Sequence, residues 1–136
     1  MITVVVIGIL AAVAYPSYTD YIRRGKISQA TSTLSELRVR MEQRYQDRTS
    51  YGTTAGSCPL DIVMPTTPSF DISCSWDTAN GSTSQTFVLA ATGTAAGGMT
   101  GYTFTINNAN TQRTTAFVGA TGLPVDCWMK RKGDTC

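Results

Sequence analysis

The first fourteen residues, Met-Ile-Thr-Val-Val-Val-Ile-Gly-Ile-Leu-Ala-Ala-Val-Ala, carry one polar side chain, Thr3. Nothing in this run offers a face to water, so its surface is expected to be covered by lipid or by other protein. Tyr15-Pro16-Ser17-Tyr18 follows, and the pattern then changes. Ile27, Ala30, Leu34, Leu37, Met41 and Tyr45 recur at intervals of 3, 4, 3, 4 and 4. That is one apolar stripe along an α-helix. Arg38, Arg40, Glu42, Arg44 and Arg48 lie mostly off the stripe, toward water or neighbours. As one helix, positions 1–48 would reach about 70 Å, against about 30 Å for the width of a small domain. The first half must therefore project as a stalk, and only the second half can pack on its own domain. Pro16 is expected to bend the helix, because it lacks an N–H and clashes one turn back. Gly8 and Gly25 are further soft points.

After Thr49 the period shifts. Tyr51-Gly52 and Gly56-Ser57 read as the end of the helix, and Pro59, Pro65 and Pro68 as an irregular connector. Residues 69–76 alternate, with Phe70, Ile72, Cys74 and Trp76 on one face. Asn80-Gly81 is a turn signal. Further strands are expected within 85–92, 102–106 and 111–118, separated by a glycine-rich stretch and by Asn107–Asn110. Such an antiparallel meander needs a cover for its apolar face, and the Ile27-to-Tyr45 stripe is the one available. The predicted class is α+β, one long helix whose C-terminal half lies across a four-stranded antiparallel sheet.

The apolar run falls short of the about 20 residues that span a bilayer. It lacks the basic front of a signal peptide, and a helix runs straight on from it. Ile7-Gly8-Ile9-Leu10-Ala11-Ala12-Val13-Ala14-Tyr15-Pro16-Ser17-Tyr18 resembles the N-terminal helix of type IV pilins, and the match runs on through Asp20-Tyr21-Ile22-Arg23-Arg24. Beyond about the first third of the chain the likeness is one of layout. The family's basic leader, and the Phe and Glu that open its mature chains, have no counterpart before Met1. A missing front end is expected, and about six further residues would bring the run to bilayer length.

The resemblance implies a division into an apolar stalk, 1–22, and a globular domain, 23–136. The domain comprises an amphipathic helix at 23–48, a connector at 49–68, a sheet at 69–118 and a C-terminal cysteine loop at 119–136. It implies that Val4, Val5, Val6, Ile7, Ile9, Leu10, Val13, Pro16 and Tyr18 form the assembly helix. The implied partners are other pilin subunits in a helical homopolymer, inner-membrane lipid before assembly, the pilus assembly machinery and, in one reading, DNA. The implied location is the inner membrane first and an extracellular pilus afterwards. In a filament, the helix between Gly8 and Pro16 is expected to bend or melt, since neighbouring protein can take up the freed backbone groups.

Charge sharpens the picture little in total and more in distribution. The formal net charge is +2, too small to imply a polyanionic partner. Positions 1–48 hold seven Lys or Arg against four acids, while positions 49–129 hold Arg113 against four Asp. The cations return in Lys130-Arg131-Lys132.

Cys58, Cys74, Cys127 and Cys136, with no histidine in the chain, do not show the short knuckle spacing of a zinc site. An even count in a small exported domain reads as two disulfides, with three pairings open. Cys58–Cys74 and Cys127–Cys136 are preferred, because they close short loops of 15 and 8 intervening residues.

There is no phosphate loop and no nucleophile motif, so neither catalysis nor a cofactor is expected. Two roles remain: a structural subunit of the filament, and a minor pilin that takes up DNA. For the second, Lys130, Arg131 and Lys132 would hold phosphates and Trp128 would stack on a base. Against it stands a plainer reading, in which Trp128 caps the sheet and the cations keep a tail soluble. The filament role ranks first on these grounds, and a type II secretion pseudopilin third.

Overall fold

The computed structural model describes residues 2–52, 62–75 and 85–134, with the backbone alone at helix positions 5 and 9–17. Helix α1 runs unbroken from Ile2 to Arg48, 47 residues, or about 70 Å. It passes through Pro16 and Gly25 without interruption. Its two halves differ in surroundings. Ile2, Val4, Val6, Ile7, Tyr18, Tyr21 and Ile22 are all exposed, Ile2 by 81% and Tyr21 by 69%. Val5, Ile9, Leu10, Val13 and Pro16 lie outside the described side chains. Among the described side chains, burial starts at Ile27 and continues through Ala30, Leu34, Leu37 and Met41, each no more than 2% exposed. Tyr45 packs against the same core, half-buried.

Positions 28–35 are rich in Ser and Thr, which are mediocre helix formers. The fold accommodates them by back-bonding. Thr31 Oγ1 donates to the Ile27 carbonyl, Ser32 to Ser28, Thr33 to Gln29 and Ser35 to Thr31, all within 3.1 Å. Thr31, buried on the apolar side, is thereby satisfied. The helix ends as Thr49 takes φ +52° and its N–H reaches the Tyr45 carbonyl at 2.7 Å.

Strands β1 (Phe70–Ser75), β2 (Val88–Gly93), β3 (Thr103–Asn107) and β4 (Gln112–Ala116) form one antiparallel sheet in sequence order. Register aligns the apolar positions: Cys74 faces Leu89, which faces Ile106, and Ile72 faces Ala91, which faces Phe104. This is the face that α1 covers, chiefly over β2 and β3. Trp76 and the Asn80-Gly81 turn signal lie outside the described residues.

The α+β expectation holds, with each strand within a few residues of its predicted place. At the helix end, one residue departs from its predicted role. Tyr51 is not merely a helix stop but a core side chain, 5% exposed. It stacks on Tyr45 at 4.6 Å and meets Phe87 edge-on at 4.7 Å. The turn at the helix end folds it back beneath the sheet margin.

Gly93 is required by close approach. A Cβ there would lie 1.7 Å from the Met99 carbonyl oxygen, so the loop 94–101 can lie down only on a residue without a side chain. That loop is tied to the helix by Lys26 Nζ, which donates to the Gly97 carbonyl at 2.8 Å.

Candidate nucleic-acid interface

The C-terminal segment reaches its place through one buried hydroxyl. Thr114 on β4 is fully buried. Its Oγ1 donates to the Cys127 carbonyl at 2.6 Å and accepts the Met129 N–H at 3.0 Å. Its backbone pairs with Val125 in both directions, N–H to O distances being 2.9 and 3.1 Å. The segment around 125–129 thus runs along the free edge of β4 and covers it. Met129 plugs into the core at 4% exposure. The next residue, Lys130, is already exposed.

From there the chain turns. Asp134 Oδ2 accepts the backbone N–H groups of Lys130 and Arg131, both at 2.8 Å. These bonds, the Lys130 N–H first, hold the Asp134 carboxyl below the usual carboxylate range. Lys130, Arg131 and Lys132 therefore stand on an ordered turn.

They face a groove of about 450 Å³ whose other wall is helix α1. Asp20, Arg23 and Arg24 line that wall, one turn before the first buried helix residue, and Tyr102, Phe117 and Val118 form the floor. The two floor rings meet edge-on at 4.9 Å. Arg23 is paired with Asp20 at 2.6 Å, and Arg24 Nε donates to the Asp20 carbonyl at 3.3 Å. The groove thus gathers five cations against one carboxylate, while the whole chain carries only +2. A cleft lined by one sign of charge concentrates oppositely charged ligands.

The three cations singled out from the sequence converge on this groove, and Trp128 does not. Its ring is half-buried against the core, and its indole N–H donates to the Thr105 carbonyl at 2.9 Å. It packs on the sheet, outside the lining of the groove. Arg23 and Arg24 were missed as site residues. Their signal was present, a basic pair just after the apolar run, but nothing in one dimension joined it to residues at the opposite end of the chain.

Cys74 and Cys127 are both disulfide-bonded. They are not bonded to each other: β1 is one edge strand of the sheet and Cys127 sits beside the other edge, β4. Three strand spacings of about 4.8 Å separate those edges, beyond the about 7 Å Cα limit of a disulfide. Cys58 and Cys136 lie outside the described residues.

A family model described as "Type IV minor pilin ComP, DNA uptake sequence receptor" matches residues 16–125. The matched span contains the helix wall and the floor of the groove but stops short of the basic turn. The type IV major fimbrial protein FimA of Dichelobacter nodosus is 47% identical over 47 residues, 35% of this chain and 29% of that protein. The match thus spans under a third of FimA's length.

Two solved structures share the architecture at 17% identity. A type IV pilin from Shewanella oneidensis superposes with a TM-score of 0.52 over 79% of this chain and 98% of its own. The non-core minor pilin PilV of Neisseria meningitidis gives 0.57 over 73% and 92%. At that identity the likeness is one of fold.

Proposed function

We propose, from the premise that this chain belongs to the ComP family of type IV minor pilins, that it is a pilus subunit that grips DNA backbone phosphates in the groove between α1 and the C-terminal turn. The pilin role itself is that of the family and of the fold, a structural one, and type IV pilins form extracellular pili. The observation that carries the DNA reading is the convergence of Arg23, Arg24, Lys130, Arg131 and Lys132 on one cavity. The sequence alone ranks the tail second, because three cations and one Trp make only a weak site. Five cations on two facing walls make a better one.

Arg23 spends part of its charge on Asp20, so about four cations remain to neutralise phosphate. Counterion release then gives a slope of log affinity against log salt of about −3.6 on duplex DNA. One subunit binds weakly at physiological salt, and repeated grooves along a filament add avidity. The floor residues Tyr102 and Phe117 are largely buried, so phosphate contact rather than base stacking dominates in this groove.

The first test is a fluorescence-anisotropy titration of the full chain, in detergent, with short duplex DNA over a range of salt. Arg24→Ala and Lys130→Ala should each weaken binding and flatten the slope by about 0.9. A Lys130→Ala, Arg131→Ala, Lys132→Ala triple variant that binds DNA like the parent removes the groove from the account.

The second part of the proposal concerns the stalk. Among the described side chains of the stalk, Ile2, Val4, Val6, Ile7, Tyr18 and Tyr21 expose an apolar surface that the rest of the chain does not cover. Packing against other pilin subunits in the filament, and before that against inner-membrane lipid, would cover it. Among the described residues no helix is long and apolar enough to cross a membrane.

A further inference from the structure

The C-terminal turn holds a carboxylate among its three cations, and by charge alone that carboxylate opposes phosphate binding. Its geometry says otherwise. Asp134 Oδ2 gathers the N–H groups of Lys130 and Arg131 at 2.8 Å each. The Asp134 N–H closes back on the Arg131 carbonyl at 3.2 Å, and Gly133 at φ +84° supplies the reversal. The ring so formed encloses the basic triplet. Upstream the chain is anchored by Met129 and Thr114, so the turn springs from a fixed point and is closed on itself by Asp134.

We propose that Asp134 is a positioning residue for phosphate binding, ordering Lys130, Arg131 and Lys132 so that they face the groove, and that this effect outweighs its own repulsion of phosphate. The inference rests on the DNA reading above. Two physical points support it. An ordered turn spares the binding step the entropy of fixing a loose tail. An exposed carboxylate whose oxygen is already engaged by two N–H groups repels a phosphate only weakly through solvent, where the screening length is about 8 Å at physiological salt. The same two N–H groups favour the ionised form of the carboxyl.

The test uses opposite signs. Asp134→Ala removes both the charge and the acceptor. Asp134→Asn removes the charge and keeps a carbonyl oxygen to receive the N–H groups. Electrostatics alone has both variants binding duplex DNA more tightly than the parent. The positioning role has Asp134→Ala binding about three- to tenfold more weakly, with a salt slope shallower by about 0.9, and Asp134→Asn binding at least as well as the parent.

The measurement is the same anisotropy titration on the full chain in detergent, with a mixed-sequence duplex. Parental or tighter binding by Asp134→Ala overturns the proposal. So does an Asp134→Asn variant as weak as Asp134→Ala, because the retained acceptor would then count for nothing. The triple variant of the three cations separates the two levels. If it leaves affinity unchanged, the groove reading fails and this inference falls with it. If it weakens binding while Asp134→Ala does not, only the positioning role is lost.

Discussion

Thr114 shows how much can hang on one buried hydroxyl. It satisfies the Cys127 carbonyl and the Met129 N–H together, and so holds the segment that leads into the basic turn. Thr114→Val keeps the shape and leaves both partners unpaired, at about 1–3 kcal/mol. Denaturant titration should show that loss, and Thr114→Ser should recover most of it. Nothing in the string of threonines around it marks this one as buried.

Tyr51 carries a second single-residue prediction. Burial, and then the Glu42 carboxylate that accepts its hydroxyl at 3.2 Å, push its phenol up from 10.0 to about 12. A raised acid of this kind adds stability that is complete below the unfolded value and lost as pH rises through the folded one. Stability should therefore fall between about pH 10 and pH 12. Tyr51→Phe should flatten that part of the curve. Ultraviolet titration should find one of the six tyrosines ionising late.

Helix α1 is two objects in one secondary structure. The half from Ile27 has its stripe buried by the sheet, so a charge there would unfold the domain. Before Arg23, the described apolar side chains Ile2, Val4, Val6, Ile7, Tyr18 and Tyr21 are exposed in the isolated subunit. Ile7 is 66% exposed, so Ile7→Asp should leave the subunit's folding intact. In a filament the same charge would be buried unpaired, at a cost of several kcal/mol. Electron microscopy of cells carrying Ile7→Asp should show no filaments containing the subunit. Normal incorporation would mean that this face of the stalk meets water in the assembly.

The sheet decides a question that lies beyond any one strand. Its order, β1 to β4 in sequence, puts Cys74 and Cys127 at opposite edges and removes one of the three pairings. The two that remain differ in which partner each takes. Cys136 follows Asp134 by two residues, a reach of about 7 Å, and Asp134 is bonded to the turn just after Cys127. Cys127–Cys136, and with it Cys58–Cys74, is therefore the expected pattern. Mass spectrometry of unreduced peptides should find those two links. A Cys74–Cys136 peptide would mean that the tail crosses the sheet rather than closing beside it.

Periodicity alone determined much of this protein. A stripe at helical spacing, alternation at strand spacing and turn residues between them are local signals, set by backbone geometry, and they placed the helix, the strands and the stripe that covers the sheet. The unbroken apolar start likewise announced a surface needing a partner, because the rest of the chain would have to wrap it completely to cover it. Tertiary structure alone decided what lies next to what. It set Arg23 and Arg24 across a groove from Lys130, Arg131 and Lys132, turned Trp128 onto the Thr105 carbonyl, and brought Tyr51 under the core. Those outcomes depend on contacts between distant parts of the chain, which register and burial fix only once the sheet has formed. A basic pair and a basic triplet at opposite ends therefore read as two minor features in sequence, and as one candidate phosphate site in space.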